Sequence, residues 1–224
     1  LSMAAQISIH HRIPTGFFTL EMPSHLILQR LIAMEARVNS HAMRTGMLKM
    51  SDFASIQDAA GIIYEAPLWI SDWPNMPILD LRAQARQMVR DHGVKVIFID
   101  YLGLISAERS DIARWEQMSD ISRSLKALAR ELAIPIVVLS QVSRDSEGKE
   151  PSLNNIRESG AIEQDADMVM FLHRDRQTEK EVDSQQTIIE TKLIIAKQRN
   201  GPIGTCRVGF HSAYTRFESM AHGE

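Results

Sequence analysis

The sequence predicts an α/β fold, in which a mostly parallel sheet is flanked by helices and followed by a C-terminal β-hairpin. Short, continuously apolar runs of strand length alternate with longer segments whose apolar residues recur at helical spacing. Strands that are apolar on both faces are typical of parallel sheets covered by helices on each side. After the turn Asn200-Gly201-Pro202 the helical segments stop and two weaker strand patterns follow. We expect one domain over residues 1–224.

Apolar stripes and end signals predict the helices. Ser24 stands where an N-cap is expected, and Gly93 stands where a left-handed residue ends a helix. The longest apolar stripe contains Trp115, Met118, Ile121, Leu125, Leu128 and Leu132. The predicted helices cover residues 1–10, 24–37, 52–64, 79–92 and 115–133.

Runs of β-branched and aromatic residues between turn signals predict the strands. Residues 96–99 are apolar throughout, and Pro135 precedes a second run of this kind. The predicted strands cover residues 16–20, 68–71, 95–100, 136–140, 168–172 and 191–196, with a weaker pair at 206–210 and 214–217.

The composition excludes several classes of protein. With 44% hydrophobic and 24% charged residues, the chain is neither a disordered tail nor a fibre. Its apolar runs are far shorter than the about 18 residues of a membrane-spanning helix, so we expect no such helix. Cys206 is the single cysteine, which excludes an internal disulfide and indicates a reducing compartment, the cytoplasm. The net charge of -3 excludes a histone-like protein but allows a local basic track.

Polar side chains follow four of the predicted strands, at the point where each strand ends. They are Glu21, Asp100, Gln141 and Arg174. Ligands bind at the carboxyl ends of the strands in open α/β sheets. Two acids, a glutamine and an arginine on one rim therefore predict a nucleotide-hydrolysis site.

Each of the first three residues has a chemical and a structural interpretation. Asp100 after an apolar strand matches a Walker B carboxylate, which holds the Mg²⁺ ion beside the phosphates, or it caps the next loop. Glu21 is placed to activate a water molecule, or simply to favour the start of the following helix. Gln141 is placed to detect a γ-phosphate, or to satisfy backbone groups at the sheet end.

A phosphate-binding loop is absent from the sequence. Such a loop requires G-x-x-x-x-G-K-[ST] between a strand and a helix, because its backbone N–H groups surround the phosphates. The one Gly-Lys pair, Gly148-Lys149, is followed by Glu150, and no strand leads into it. The helical pattern at Leu1 has no cap in front of it, so we expect a boundary inside a longer protein and not a targeting segment.

Two further segments suggest contacts with anions. Arg157 and the backbone near Gly160 are suited to phosphate contacts that ignore base sequence, although the acidic surroundings equally fit a solvated loop. Residues 186–217 carry an excess of basic residues, and Arg199 follows a predicted strand just before a turn. An arginine projecting from that position is either a solvated charge or a finger that completes a neighbour's active site.

Six segments together resemble the motor domain of the bacterial replicative hexameric DNA helicases of the DnaB type, within the wider RecA-like ATPases. In chain order they are residues 17–22, 96–102, 122–132, 139–144, 157–167 and 197–202. They span nearly the whole chain, and their order makes the resemblance specific although each motif alone is modest.

The resemblance implies a role for each matching residue. Glu21 would activate water, Asp100 would hold Mg²⁺ directly or through water, and Gln141 would sense the γ-phosphate of ATP. At the subunit interface Arg199 would be the arginine finger with Lys197 beside it. The residues implied to meet the backbone of single-stranded DNA are Arg157, Glu158 and Gly160.

The resemblance also implies a homo-hexamer that works with a primase and a helicase loader at cytoplasmic replication forks. In this family the phosphate-binding loop and the first strand come before the helix at Leu1. We therefore expect that the isolated chain neither binds ATP tightly nor hydrolyses it. Two other functions stay open at this stage: a different RecA-like ring ATPase, such as a recombinase or a clock-type phosphotransferase, and a non-catalytic oligomerisation or DNA-binding module.

Overall fold

A computed structural model describes residues 1–143, 148–156, 160–174 and 188–220. The helices are α1 (Ser2–Ala5), α2 (Ser24–Ala36), α3 (Ser40–Thr45), α4 (Met50–Tyr64), α5 (Ile78–His92), α6 (Arg114–Leu132) and α7 (Gly160–Asp165). The strands are β1 (Thr15–Thr19), β2 (Leu68–Ser71), β3 (Val96–Asp100), β4 (Ile136–Val138), β5 (Met168–His173), β6 (Ile188–Gln198), β7 (Gly204–His211) and β8 (Arg216–Ser219). A π-helical turn, Gln6–His10, continues α1.

The first sheet is parallel, with the strand order β2-β1-β3-β4. One face packs Phe18, Ile97 and Ile99 against α5 and α6. The other face packs Phe17 and Phe98 against α1, α2 and α4. Because helices cover both faces, the strands are apolar at consecutive positions, as the sequence indicates. The predicted α/β class with a mostly parallel sheet is confirmed.

The second sheet is antiparallel, with the order β5-β6-β7-β8. The predicted C-terminal hairpin is confirmed, since β7 and β8 pair with His211 opposite Arg216. Strands β5 and β6, however, belong to this second sheet and do not extend the parallel one. The connection from β6 to β7 is a tight turn, which is too short for the crossover that parallel neighbours need.

The antiparallel sheet contacts helices α1 and α2 of the parallel layer through its last strand, β8. The guanidinium of Arg216 donates to the carbonyl of Met34 at 3.3 Å and lies 3.9 Å from the carboxylate of Glu35. Met34 and Glu35 both belong to α2. The N–H of Phe217 donates to the hydroxyl of Ser2 at 3.1 Å. Glu218 pairs with Arg37 just after α2. The C-terminal hairpin is therefore held against α1 and α2.

Three local predictions differ from the structure. Ser24 is not the N-cap of α2, because Pro23 takes that position and the N–H of Ser24 donates to Asp72 at 2.8 Å. Helix α3 was not predicted; the side chain of Asn39 caps it by accepting two backbone N–H groups. Residues 160–165 form the short helix α7, a segment that the predicted helices do not include. Among the described residues, no helix has the length and apolar content needed to cross a membrane.

Candidate functional site

The carboxyl ends of β1, β3 and β4 meet at one edge of the parallel sheet. Thr19 pairs with Asp100, and the N–H of Leu20 donates to the carbonyl of Asp100 at 2.8 Å. Beyond the last paired residue of β4, the N–H of Leu139 donates to Ile99 at 3.0 Å. Asp100 is the last residue of β3, and Glu21 and Gln141 stand two residues past Thr19 and Leu139, so the structure places all three on the same edge.

A tight turn presents Glu21 to solvent. The Thr19 hydroxyl donates to the carbonyl of Met22 at 2.7 Å and accepts the Met22 N–H at 3.3 Å, which closes residues 19–22. Glu21 is exposed at this turn. Asp72, after β2, then anchors the start of α2 through the Ser24 N–H, and this hydrogen bond lowers the pKa of Asp72. Sequence reasoning missed Asp72, although it directly follows β2, just as Asp100 stands at the end of β3.

Asp100 is half-buried at the end of β3, and the Asp100–Tyr101 peptide is cis. Burial raises the pKa of Asp100; the carboxylate of Glu21 adds to this rise and Arg30 opposes it, while the main-chain nitrogen of Leu1 lies within electrostatic range. These effects place Glu21 and the main chain at Leu1 within electrostatic range of the Asp100 carboxylate. A partly desolvated carboxylate with a second acid nearby is suited to a cation.

The acids at this edge fit a magnesium ion that is shared with phosphates. Mg²⁺ is commonly held by one or two carboxylates, with water and phosphate oxygens completing its shell. Asp100 supplies one such carboxylate, and Glu21 lies near it. In the part of the chain that the structure describes, no group of three or more His, Cys, Asp or Glu side chains could hold a metal by itself. One or two carboxylates at this edge therefore suit a Mg²⁺ ion that phosphate oxygens also bind.

Gln141 is exposed and lines a cleft of about 290 Å³ beside the β3 and β4 ends. The other lining residues are Tyr101, Leu102, Gly103, Arg114, Met118, Ser140 and Ile162. Just beyond Gln141, Val142 forms an antiparallel bridge with Ile156, and the N–H of Ser143 donates to Asn155 at 2.7 Å. The Gln141 segment is thus joined to the segment that leads to residue 157.

The three residues implied to contact DNA are only partly described. Arg157 and Glu158 lie outside the described residues. Gly160 is exposed at the start of α7, with open space where a Cβ would lie. Two residues later Ile162 lines the Gln141 cleft, so Gly160 begins the element next to that cleft.

Lys197 and Arg199 lie at the end of β6 and contact helix α7. The Lys197 ammonium donates to the carbonyl of Glu163, and the Arg199 guanidinium donates to the carbonyl of Gln164 at 2.5 Å. Arg199 also pairs with Asp167 at 3.3 Å, while its side chain is 47% exposed. The expected outward projection is therefore incomplete, because the side chain folds back on its own subunit.

Arg174 does not lie on the edge with the other strand-end residues. Its guanidinium stacks over Phe210 at 4.3 Å and donates to Thr191 at 3.2 Å. The prediction that it shares this rim is wrong, because β5 belongs to the antiparallel sheet. Sequence reasoning also missed Arg114, which begins α6, lines the Gln141 cleft and donates to the carbonyl of Gly103 at 2.5 Å.

Comparisons with known proteins show which family the chain resembles. The family described as DnaB-like helicase C terminal domain matches residues 1–219. The replicative DNA helicase DnaB of Treponema pallidum (strain Nichols) is 55% identical over 217 residues, which is 97% of this chain and 47% of that protein. The replicative DNA helicase DnaB of Geobacillus stearothermophilus is 40% identical over 224 residues, covering 98% and 49%. The chain spans about half the length of these curated relatives.

Two solved structures have the same fold. One, described as an ATPase domain, superposes with a TM-score of 0.89 at 32% identity, covering 97% of this chain and 78% of that one. A DnaB-like replicative helicase, described together with its interactions with primase, gives a TM-score of 0.90 at 32% identity, with coverages of 98% and 53%. The predicted RecA-like fold is confirmed. The sequence match over residues 1–219 and these superpositions agree, and the chain belongs to the DnaB-like helicase C-terminal domain family.

Proposed function

We propose that this chain is the ATP-driven motor domain of a replicative DNA helicase, which moves 5′ to 3′ on single-stranded DNA and unwinds duplex at the fork. The observation that carries the proposal is the meeting of Glu21, Asp100 and Gln141 at one sheet edge, in a chain of this family. The direction of movement rests on the family resemblance alone.

Glu21 is the proposed general base. It lies exposed on a tight turn after β1, where its carboxylate is free to orient a water molecule and accept its proton. Asp100, at the paired position of β3, is the proposed magnesium ligand. A Mg²⁺ ion bound there would neutralise charge on phosphate oxygens. The half-buried position of Asp100 strengthens its attraction for such a cation.

The position of Leu1 supports a phosphate site at this edge. The main-chain nitrogen of Leu1 lies within electrostatic range of the Asp100 carboxylate. A phosphate-binding loop that precedes Leu1 in a longer chain would therefore end beside Asp100 and near Glu21. We infer that such a loop is required for tight nucleotide binding and that residues 1–224 alone do not hydrolyse ATP.

Gln141 is the proposed link between nucleotide and DNA. The bridge between Val142 and Ile156 joins its segment to the chain that continues into Arg157 and Glu158. Gly160, at the start of α7, is the third proposed contact with the DNA backbone. A γ-phosphate that attracts the Gln141 amide would move this joined segment and so alter the DNA contacts.

We infer a homo-hexameric ring in which Lys197 and Arg199 reach the nucleotide of the adjacent subunit. A site completed by its neighbour hydrolyses ATP only when the two subunits are correctly placed, which couples turnover to movement along the strand. We further propose a primase and a helicase loader as partners, and the cytoplasm as the location. A similar solved structure is described with primase, which supports the first of these partners.

The test is ATP hydrolysis by the full-length protein that contains this chain, with and without single-stranded DNA. We expect that DNA stimulates ATP hydrolysis and that Glu21→Gln abolishes it. The matched control is Glu65→Gln, because Glu65 is also an exposed glutamate but lies near the opposite end of β1. Two residues after Glu65, the carbonyl of Pro67 accepts the N–H of Thr15, the first residue of β1. Turnover that ignores DNA would indicate a different RecA-like ring ATPase. Absence of turnover in the unmodified protein would favour a non-catalytic module.

A further inference from the structure

Asp167, between α7 and β5, receives cations from two different elements. The ammonium of Lys126 in α6 donates to one carboxylate oxygen, and Arg199 donates to the other at 3.3 Å. The main-chain N–H of Arg199 also donates to the carbonyl of Asp167 at 2.9 Å. The hydrogen bond from Lys126 lowers the pKa of Asp167, and the charges of Arg199 and Lys197 act in the same direction.

The carbonyl end of α7 binds two cations, Lys197 of β6 and Arg199, which follows β6. Lys197 donates to Glu163, and Arg199 donates to Gln164 at 2.5 Å. Cations are favoured at this end of a helix, where the last carbonyls have no partner within the helix. Both side chains that we propose to act on a neighbour are therefore engaged inside their own subunit.

The arrangement of charges allows Arg199 to dissociate from Asp167 with only a small loss of free energy. Lys126 and Arg199 both pair with the carboxylate of Asp167, so Lys126 keeps Asp167 paired when Arg199 departs. Asp167 is 61% exposed and Arg199 is 47% exposed. An exposed pair of this kind changes an equilibrium by up to about fivefold. The contact is strong enough to bias Arg199 and weak enough for a phosphate to displace it.

Helix α7 also contains Gly160, the proposed contact with DNA. Helix α7 has six residues, starts at Gly160 and carries the carbonyls that hold Lys197 and Arg199. The hydroxyl of Ser122 in α6 donates to Asp165 at 2.7 Å and anchors the far end of the helix. A displacement at Gly160 is therefore transmitted to the carbonyls that contact Arg199, because both belong to one hydrogen-bonded element.

We propose that Asp167 is a positioning residue that holds Arg199 within its own subunit until DNA engages the start of α7, so that hydrolysis in the adjacent subunit depends on DNA. The proposal rests on the proposed function, specifically on Arg199 acting in trans and Gly160 meeting DNA. It adds a residue that contacts neither nucleotide nor DNA and acts through Arg199.

The test compares the full-length hexamer with Asp167→Asn, measuring kcat and KM for ATP with and without an oligothymidylate. Asp167→Asn removes the charge that holds Arg199. We expect kcat without DNA to rise about three- to fivefold. We expect KM and the DNA-stimulated kcat to change less than about twofold, so the stimulation ratio falls. Asp167→Glu keeps the carboxylate and is expected to restore the native ratio.

The matched control is Asp91→Asn, which removes an exposed aspartate that pairs with Arg90 at 2.7 Å at the end of α5. Its stimulation ratio is expected to equal that of the unmodified protein. If Asp167→Asn does not assemble, Asp167→Ser removes the same charge and provides the same measurement. A native ratio in the assembled variant, or an equal fall of both rates, would refute the holding role of Asp167.

Arg199→Ala separates this failure from failure of the proposed function. Loss of turnover in Arg199→Ala together with a native ratio in Asp167→Asn would overturn only the role of Asp167. Full turnover in Arg199→Ala would show that Arg199 is not a finger, and both proposals about that residue would fall.

Discussion

Thr19 and Asp100 are paired at the ends of β1 and β3, and the residue after Thr19 donates its N–H to the carbonyl of Asp100 at 2.8 Å. Main-chain hydrogen bonds therefore set the separation between the turn that carries Glu21 and the carboxylate of Asp100. This rigid relation is useful chemically, because a general base and a metal ligand must keep fixed positions around one phosphate.

Asp100→Asn is expected to lower ATP turnover of the full-length protein at least about 100-fold, since it removes the proposed magnesium ligand. Burial raises the pKa of Asp100. The ionised form is therefore disfavoured in the folded state, and its cost to stability appears as the pH rises through that elevated pKa. Urea unfolding at pH 7 is thus expected to show Asp100→Asn at least as stable as the unmodified protein. Lower stability together with unchanged turnover would contradict both expectations.

Asp72→Ala is expected to destabilise the protein by about 1 kcal/mol at pH 7, because the charged acceptor at the start of α2 is lost. The pKa of Asp72 is lowered from its ordinary value of 3.8. Its contribution is therefore complete above pH 3.8 and is lost as the pH falls through the lowered pKa. Urea unfolding across this range measures the change. A difference from the unmodified protein that stays constant down to pH 2 would argue against a charged acceptor.

Gly103→Ala is expected to destabilise the protein by about 1–3 kcal/mol and to lower turnover. A Cβ at this position would lie 2.9 Å from the ring of Tyr101, the residue that follows Asp100. Gly61→Ala is the matched control, because its Cβ would meet open space within α4. That change is expected to stabilise the protein by about 0.5–1 kcal/mol without altering turnover. Thermal unfolding and ATP hydrolysis test both variants.

Arg216→Ala is expected to destabilise the protein by about 1–2 kcal/mol, because it removes the partly buried guanidinium shared by Glu35 and Glu218, although both acids keep other partners. Arg216 is 18% exposed and joins Glu35, 12% exposed, and Glu218 across the contact between β8 and α2. Arg90→Ala, at an exposed pair with Asp91, is the control and is expected to leave the urea midpoint unchanged. Equal midpoints for the two variants would show that the hairpin does not depend on this contact.

Local patterns predicted the parallel sheet and its covering helices well. Strand β3 can be recognised in the sequence because a strand that is buried on both faces needs a continuous run of apolar residues. The end of α5 can be recognised because the left-handed backbone at Gly93 favours glycine. The rim position of Glu21, Asp100 and Gln141 follows from the same reasoning, since the ends of parallel strands lie together. These features depend on a few neighbouring residues and need no knowledge of distant contacts.

The sequence by itself determined the α/β class, the parallel core and, through the order of six segments, the family. Only the tertiary structure decided that β5 joins the antiparallel sheet, that Asp72 anchors α2, and that Arg199 folds back on Asp167. The last two contacts join residues 48 and 32 positions apart. No local periodicity encodes such pairs, because they form only when packed helices and strands bring the two positions together.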